Sequence, residues 1–483
     1  TKRGDIVETQ FGVAVADPHR WLENDVRNDA EVAAWVESQN LVTNAFLDTL
    51  PLQESFKKRL TELYDYERFG VPTRKGGRYF YTHNTGLQNQ SVLFARDSLD
   101  GEGRQLIDPN AWSKDGATAL AEWTPSEDGK LLAYSIQDGG TDWRIVRVMD
   151  VATGKLLGDE LKWLKYGGDV AWTKDGKGFY YSRFPEPKKG QDFQETSLNQ
   201  SVWFHKLGTP QSTDRKIFAT PDLPKRGHSA VVSDDGRWLV IYTGEGTDNV
   251  NEIRIVDLKK SGAKPRALIT GLDHEWSYLG NQGTRFLFRT NDGAPLKKIV
   301  AIDVAKAKAE PQSVVAEQKS VIDDAGIVGD KLVVTYLADA RSEAKVFTLD
   351  GAPAAGIELP GIGTAGGLSG KMGEDEAFFY FTSFNRPTTV YRYDAASGAV
   401  TPWAAPKVAF SPDDFTVEQR FYNSKDGTKV PMFIVRKQGS IGPAPTLLYG
   451  YGGFDISLTP AFSAANLAWV DAGGTYVVAN IRG

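Results

Sequence analysis

The stretch Ser126–Ile136, SEDGKLLAYSI, decides the fold because it places a turn signal directly before a strand. Asp128-Gly129 is a pair that favours the positive φ angles required by tight β-hairpins. The run LLAYSI that follows is apolar and contains an aromatic and a β-branched residue, which is typical of a strand. The stretch therefore predicts two antiparallel strands joined at the Asp-Gly pair.

The same unit recurs along the chain about every 50 residues, which is the spacing of a repeat architecture. The turn returns as TKDGK at Thr173 and SDDGR at Ser233, and each strand opening is followed by a second strand such as IVRVMD or IRIVDL. The openings begin at Tyr79, Leu131, Phe179, Trp238, Phe286, Leu332 and Phe378. Seven copies of one antiparallel unit predict a seven-bladed β-propeller over residues 71–410. A β-sandwich array with accidental spacing is the alternative.

The segments on either side of the repeats have a different pattern of apolar and polar residues. Apolar residues recur at helical spacing between Asp29 and Tyr64, around a break at Pro51, and predict two amphipathic helices. Behind the repeats, two strands joined at Asp426-Gly427 are followed by the apolar strand PTLLYG and the buried strand of GGTYVVANIRG. Helices in front and α/β-type strands behind imply one discontinuous domain, residues 1–70 and 411–483, into which the propeller is inserted.

Composition excludes several classes of function. The net charge of -6 over 483 residues argues against a nucleic-acid backbone or an anionic membrane as partner. The chain has no cysteine, which excludes disulfides, thiolate nucleophiles and cysteine-zinc sites, and no His/Asp/Glu set has metal spacing. No metal or other cofactor is therefore expected. No apolar run approaches the roughly 20 residues of a membrane helix, and we expect a cytoplasmic or periplasmic protein, with removal of a signal peptide left open.

Five motifs stand in a characteristic order: DPHRWLEN, ELYDYERFGVPTRKGGRYFYTHNTGLQNQSVLF, KDGTKVPMFIV, LLYGYGGF and VVANIRG. In this order they resemble the prolyl oligopeptidase family of serine peptidases, and the likeness covers the whole chain. The resemblance implies an α/β-hydrolase domain built from both chain ends, with an inserted seven-bladed β-propeller that covers its active site. Residues 1–70 and 411–483 would form the hydrolase parts, and residues 71–410 the propeller.

The nucleophile of such an enzyme is missing from the sequence. An α/β-hydrolase requires a G-x-S-x-G elbow, followed in the chain by an acid and a histidine. The nearest candidate, GGLSGKMG around Ser369, lacks that spacing and is predicted to fall between blades six and seven. The resemblance places the catalytic Ser, Asp and His beyond the point matching Gly483. We therefore expect a chain that is truncated before the triad, matches the N-terminal two-thirds of the enzyme, and is inactive alone.

The glycine-rich loop in PTLLYGYGGFDISL is the strongest candidate for chemistry. A G-x-G-x-x-G phosphate cradle is excluded because Asp455 occupies the third glycine position. A plain tight turn after a strand is one interpretation, and an oxyanion-hole loop is the other. The resemblance assigns the oxyanion donor to the Tyr451 hydroxyl and a wall of the proline-binding pocket to Phe454. Phe454 is alternatively a core residue.

Three propeller residues are weaker candidates for substrate contact: Tyr166, His228 and Thr247. Each is also interpretable as a surface or blade-packing residue. In mammalian members of the family an arginine and a cysteine of one blade approach the substrate, and the matching positions here are Gly244 and Thr247. The sequence therefore departs from the family pattern at both positions.

The function implied by the resemblance is that of a serine-type endopeptidase. It would cleave short proline-containing peptides on the C-terminal side of proline through an acyl-enzyme, with the propeller restricting access. We expect a monomer without nucleic-acid or membrane partners. Two alternatives stay open: a non-catalytic propeller scaffold that binds a peptide or protein, and a related peptidase of the oligopeptidase B or dipeptidyl peptidase type.

Overall fold

The computed structural model describes residues 1–139, 141–166, 170–188, 190–191, 196–306 and 308–481. The chain divides into two compact units, of which the first comprises residues 1–62 and 187–195. This unit contains a hairpin of β1 (Val7–Gln10) and β2 (Val13–Ala16), the helix α1 (Ala30–Leu47) and most of the helix α2 (Gln53–Tyr64). The two predicted helices are confirmed, and the hairpin was not predicted.

The second unit, residues 63–186 and 196–483, contains seven successive antiparallel sheets. Sheet 1 comprises β3 (Arg68–Phe69), β4 (Thr73–Lys75), β5 (Arg78–Asn84), β6 (Val92–Arg96) and β7 (Arg104–Ile107). Sheet 2 comprises β8 (Ala119–Pro125), β9 (Leu131–Gln137), β10 (Arg144–Asp150) and β11 (Leu156–Leu164). Sheet 3 comprises β12 (Ala171–Trp172), β13 (Gly178–Arg183), β14 (Ser201–Lys206) and β15 (Arg215–Phe218). Sheet 4 comprises β16 (Arg226–Val232), β17 (Trp238–Glu245), β18 (Glu252–Asp257) and β19 (Arg266–Ile269).

The remaining three sheets follow the same order of strands. Sheet 5 comprises β20 (Trp276–Gln282), β21 (Arg285–Thr290), β22 (Lys298–Asp303) and β23 (Gln312–Val315). Sheet 6 has β24 (Val321–Val328), β25 (Lys331–Ala338) and β26 (Arg341–Thr348). Sheet 7 comprises β27 (Thr364–Lys371), β28 (Glu374–Ser383), β29 (Arg386–Asp394) and β30 (Val400–Ala404). All seven predicted strand openings are confirmed, each within the central strand that pairs with both neighbours in its sheet.

The repeated turn has the same hydrogen bonds wherever its motif occurs. In sheet 2 the Ser126 hydroxyl donates to the Asp128 carboxylate at 2.7 Å, and Gly129 has a φ of +66°. The corresponding hydroxyls of Thr173 and Ser233 donate to the aspartate two residues later at 2.8 and 2.6 Å. The side chain thus fixes the turn, and glycine supplies the left-handed conformation without a Cβ clash.

The central strands read as continuous apolar runs because both of their faces are buried. In β17, Leu239 packs in the cluster between sheets 3 and 4, whereas the next residue, Val240, packs in the cluster between sheets 4 and 5. Buried apolar clusters of this kind lie between each sheet and the next, and between sheet 7 and sheet 1. The sheets therefore close into a ring, which confirms the predicted propeller and rejects a β-sandwich array.

Side chains alone close the ring, since each sheet is made from one continuous stretch of chain. The Tyr79 hydroxyl of sheet 1 donates to the Glu376 carboxylate of sheet 7 at 2.7 Å, and the Arg392 Nε donates to the same carboxylate at 2.6 Å. Burial, together with the bond to Glu376, raises the pKa of Tyr79 to about 12. This hydroxyl therefore remains a donor throughout the physiological range.

The turn ends of four sheets meet at one carboxylate. Glu127 of sheet 2 accepts from Lys75 of sheet 1, from Lys371 of sheet 7 at 2.9 Å and from Lys174 of sheet 3 at 3.2 Å. The ammonium of Lys174 also donates to the Asp234 carbonyl of sheet 4 at 2.8 Å. Burial alone would raise the pKa of Glu127, but the charges and hydrogen bonds of Lys75 and Lys371 outweigh it and lower the pKa to about 2. The network joins blades that are distant in sequence.

A buried imidazole joins sheet 2 to sheet 3. Both ring nitrogens of His205 face carboxylates, with Nε2 at 3.0 Å from Asp159 and Nδ1 at 2.8 Å from Asp214. The Tyr181 hydroxyl donates to Asp214, and the Gly208 N–H donates to Asp159. Because a carboxylate can only accept, both ring nitrogens must carry protons. His205 is therefore an imidazolium held between two aspartates.

The pH dependence of stability follows from this arrangement. Burial opposes the imidazolium, but the hydrogen bonds and charges of Asp214 and Asp159 outweigh it and raise the pKa of His205. The stabilisation that protonated His205 gives the folded chain is therefore complete below the pKa of about 6.5 in the unfolded chain. It is lost as the pH rises through the higher pKa of His205 in the folded chain. We expect the urea midpoint to fall as the pH rises above about 6.5, and this fall to disappear in His205→Asn. The half-exposed His274→Asn is the control, and an unchanged pH profile in His205→Asn would contradict the assignment.

A smaller mixed sheet follows the propeller. It consists of β31 (Phe415–Asn423), β32 (Lys429–Lys437), β33 (Thr446–Gly450) and β34 (Thr475–Ala479), in the order β31-β32-β34-β33. The strands β33 and β34 are parallel and are connected through the helix α3 (Ala464–Asp471). The four strands were predicted and α3 was not, although the Ser463 hydroxyl caps its first turn and Gly473 follows its end.

This sheet lies against the end of sheet 7 at which β27 begins and β28 ends. The Thr364 hydroxyl donates to the Pro460 carbonyl at 2.7 Å, and the Asn385 amide donates to the Pro412 carbonyl at 2.9 Å. Phe384 packs on Phe433 with ring centroids 5.4 Å apart. One end of the propeller therefore faces the segment that carries LLYGYGGF.

Ser369 lies within β27, where it pairs with Phe378, so its predicted position between blades six and seven is wrong. The strand runs through this glycine-rich stretch with two irregularities in its register and ends only at Lys371. Gly483, the last residue of the chain, lies outside the described residues. The predicted domain limits at residues 70 and 410 stay a prediction.

Two features are absent from the described ranges. No described helix is both long enough and apolar enough to cross a membrane. Likewise, no group of three or more His, Asp or Glu side chains in those ranges is placed to hold a metal ion.

Candidate active site

The glycine-rich loop leaves the mixed sheet at the end of β33 and turns sharply. Phe454 has φ 55° and ψ 31°, a left-handed conformation that is uncommon for a residue with a side chain. Strained backbone of this kind is concentrated at functional sites. The side chain of Phe454 is 73% exposed, so the interpretation of this residue as core does not hold in the described chain.

Gly453 leaves room for the ring of Tyr451. A Cβ atom at residue 453 would lie 2.8 Å from the Tyr451 hydroxyl oxygen and 3.0 Å from Cζ. Any side chain there would therefore displace the phenol ring. Tyr451 is 37% exposed, and no described residue forms a hydrogen bond with its hydroxyl. The loop thus presents a free phenolic O–H at its surface.

The end of the loop is anchored to the neighbouring strand. The Leu458 N–H donates to the Asn480 side-chain oxygen at 2.8 Å, directly after β34. Because β33 and β34 are parallel, their carboxyl ends meet at the same edge, which is where α/β sheets place their sites. The amide nitrogen of Asn480 is buried without a partner among the described residues. Sequence reasoning missed Asn480, and its position directly after a buried strand was the available signal.

The strand before the loop is uncovered. All five residues of β33 are exposed, including Leu448 at 67% and the neighbouring Leu447 and Tyr449. Parallel strands are normally buried on both faces. The apolar side chains of β33 are therefore suited to contact further protein.

The weaker candidates lie together at one end of sheets 3 and 4. Tyr166 and His228 line one pocket of about 320 Å³, and Thr247 follows Gly246, another lining residue. Tyr166 is exposed, whereas His228 is only 2% exposed. The described contacts do not join these three residues to Tyr451 or Phe454, so their role in substrate contact stays a prediction.

His228 is a neutral, fully paired imidazole. Its two ring nitrogens lie 3.0 Å from the hydroxyls of Thr243 and Thr220. Burial, with smaller contributions from Arg254 and Arg226, lowers the pKa of His228 to about 4. This pairing supports its interpretation as a blade-packing residue more than direct contact with a peptide.

The sequence matches that of known proteins along its whole length. Residues 1–406 match the family model described as the N-terminal β-propeller domain of prolyl oligopeptidase. The chain belongs to the prolyl oligopeptidase family. The prolyl endopeptidase of Elizabethkingia meningoseptica is 38% identical over the whole chain, which spans 68% of that protein. Prolyl oligopeptidase A of Amanita bisporigera is 31% identical over 99% of the chain, which spans 67% of it.

Solved structures of family members have the same architecture. A structure from a structural and mechanistic analysis of two prolyl endopeptidases is 49% identical, with a TM-score of 0.76, over all of this chain and 69% of that one. Prolyl oligopeptidase B from Galerina marginata, bound to a 35mer hydrolysis and macrocyclization substrate, is 29% identical with a TM-score of 0.90. The match covers all of this chain and 71% of that one.

The histidines of this family member do not form a serine triad in the described chain. All five are described, and none of their ring nitrogens forms a hydrogen bond with a serine in the described chain. His19 contacts a carbonyl, His83 and His274 each contact one carboxylate, His205 contacts two carboxylates and His228 contacts two threonines. The described residues therefore provide the Tyr451 loop without a nucleophile and base beside it.

Proposed function

We propose that this chain supplies the propeller and one side of the active site of a serine endopeptidase that cleaves short peptides after proline. The observation that carries the proposal is the free Tyr451 hydroxyl, next to Gly453 on a strained loop at the carboxyl edge of the mixed sheet. Membership of the prolyl oligopeptidase family supports it.

The mixed sheet is, in this proposal, the start of an α/β-hydrolase sheet built from residues 1–70 and 411–483, with residues 71–410 inserted as the propeller. Two features support this assignment. The parallel pair β33 and β34 with the connecting helix α3 is an α/β unit. The exposed apolar side chains of β33 would be covered by further strands and helices.

The proposed chemistry is acyl transfer. A serine attacks the carbonyl carbon of the proline residue while a histidine accepts the serine proton, and negative charge develops on the carbonyl oxygen. The Tyr451 O–H donates a hydrogen bond to that oxyanion, and one preorganised donor of this kind contributes roughly 3–4 kcal/mol. The peptide after proline leaves as an amine that takes its proton from the histidine, and water then hydrolyses the acyl-enzyme to release the proline-ending product and the free serine. The serine, its histidine and the acid would come from a segment outside these 483 residues.

Phe454 would form one wall of the pocket that receives proline. Its ring is exposed on the loop next to Tyr451 and would become buried against the flat, apolar pyrrolidine ring of the substrate. Packing of this kind is worth about 0.5–1.5 kcal/mol beyond simple burial if values for aromatic pairs transfer.

The propeller would restrict access to short peptides and contribute contacts from Tyr166 and Thr247, with His228 supporting the pocket wall. The substrates would be short proline-containing peptides, bound by a monomer in the cytoplasm or periplasm. The solved structure of prolyl oligopeptidase B bound to a 35mer hydrolysis and macrocyclization substrate supports peptide binding in this architecture.

Labelling with a fluorophosphonate tests whether the nucleophile lies on another segment. Such reagents react with an activated serine, whose Oγ attacks phosphorus and displaces fluoride. We expect one label per molecule of the complete protein and none on the 483-residue chain. An unlabelled complete protein would favour the non-catalytic scaffold, and a labelled 483-residue chain would show that the nucleophile is within it.

A further inference from the structure

A groove crosses one end of sheets 3 and 4. Sheet 7 contacts the mixed sheet at the same end of its blade. The groove consists of two adjoining pockets, of about 430 and 320 Å³, which share Phe184 and Gln200. We call it the blade 3–4 groove. Its position at the beginning of β16 and the end of β13 places it on the side of the propeller that faces the mixed sheet.

In one half of the groove, two cationic side chains contact a tryptophan ring. The guanidinium of Arg183 lies 4.1 Å from the ring centroid of Trp203, and the ammonium of Lys216 lies 4.9 Å from it. All three residues line the larger pocket. The indole thus contacts two cations in a wall of the groove.

The other half adds two further cations, Lys225 and Arg226. Arg226 pairs with Glu252 at 3.3 Å. In contrast, Arg183, Lys216 and Lys225 have no carboxylate partner among the described residues. Three such cations in one groove are unusual in a chain whose net charge is -6.

The Nε atoms of Arg183 and Arg226 are buried and form no hydrogen bond in the described chain, as in five other arginines, so they are not evidence for a ligand. The Arg226 Nε also lies 4.0 Å from the Glu245 carboxylate. Glu186 is the acidic residue that lines the groove, against four cations.

We propose that the blade 3–4 groove binds a carboxylate-bearing segment of a peptide, so that acidic residues away from the proline strengthen binding. The proposal rests on the proposed peptidase function. Guanidinium and ammonium groups recognise carboxylates, and the apolar Phe184 and Trp203 provide surface for the peptide between them. The net charge of the chain and the presence of Glu186 favour a peptide over a nucleic acid.

Fluorescence anisotropy of the 483-residue chain tests the groove without any catalysis. Two fluorescein-labelled peptides share one sequence, with glutamates in the first and glutamines at the same positions in the second. We expect the glutamate peptide to bind about tenfold more tightly at about 50 mM salt, and the difference to shrink at high salt. Two groove variants are compared. The first combines Arg183→Gln with Lys216→Gln, and the second is Lys225→Gln alone, which changes an exposed residue. The control is Lys407→Gln with Lys425→Gln, which removes two exposed cations outside the groove.

The expected result is that both groove variants reduce the preference for glutamate and that the control keeps it. Equal affinity for the two peptides, or binding of neither, would overturn the proposal. A preference that survives in both groove variants would also overturn it. A dT oligonucleotide that binds more tightly than the glutamate peptide would reassign the groove to nucleic acid. None of these results depends on peptidase activity, which the fluorophosphonate experiment tests separately.

Discussion

Replacing Tyr451 by phenylalanine in the complete peptidase is expected to lower kcat by about 10²–10³ without loss of the fold. The substitution removes only the hydroxyl, which no described residue uses as a hydrogen-bond partner. In the proposed mechanism this O–H stabilises charge that exists only in the transition state. The loss should therefore appear in kcat, with a small change in KM.

The matched control is Tyr449→Phe, two residues earlier, in the exposed strand β33 that leads into the loop. Since Tyr449 has no assigned role in catalysis, its variant should retain the parent kcat. Urea unfolding of both variants checks that the fold is intact. An unchanged kcat in Tyr451→Phe would remove Tyr451 from the oxyanion hole, and an equal loss in Tyr449→Phe would point to a general effect on the loop.

Replacing Phe378 by alanine is expected to destabilise the chain by about 3–5 kcal/mol. Phe378 is 1% exposed and packs edge-on against Tyr79 at 5.9 Å and Trp403 at 5.8 Å, at the boundary between sheets 7 and 1. Because only side chains close the ring there, the cavity would weaken the contact that holds the first and last blades together. Urea unfolding followed by tryptophan fluorescence measures the loss.

Phe11→Ala provides the control for this experiment. It deletes the same side chain from a fully exposed position in the N-terminal hairpin, where the expected change is within about 0.5 kcal/mol. A loss below about 1 kcal/mol in Phe378→Ala would contradict the assignment of ring closure to this cluster.

The propeller was predictable because its signals are local and repeated. The Asp-Gly turn at Ser126 is fixed by hydrogen bonds within five residues, and the runs such as WLVIYT are apolar throughout because sheets pack on both faces. The hairpin β1–β2 was missed because its valines are exposed and its turn is Phe11-Gly12, which is not a strong hairpin signal.

Features that depend on distant residues were not predictable. His205 meets Asp159 from a position 46 residues along the chain, and no spacing rule marks the pair. The network around Glu127 likewise requires Lys371, which the ring closure brings beside it. Both interactions depend on the three-dimensional arrangement of the blades.

The candidate site was predictable in part. The residues of LLYGYGGF and their order identified the loop, and the resemblance to the family supplied roles for Tyr451 and Phe454. The sequence did not indicate that Gly453 lies against the Tyr451 ring, or that Phe454 is left-handed and exposed. These properties depend on how the chain turns after β33.

The most direct test of the proposed function is a comparison of three fluorogenic peptides that differ only in the residue before the cleaved bond. The complete protein is assayed with Pro, Arg and Lys at that position, and kcat/KM is measured for each. We predict that the proline peptide is preferred by about 10² or more, because the aromatic face of Phe454 suits an apolar pyrrolidine ring better than a cationic side chain. A preference for Arg or Lys, or no cleavage of the proline peptide, would contradict the proposed function.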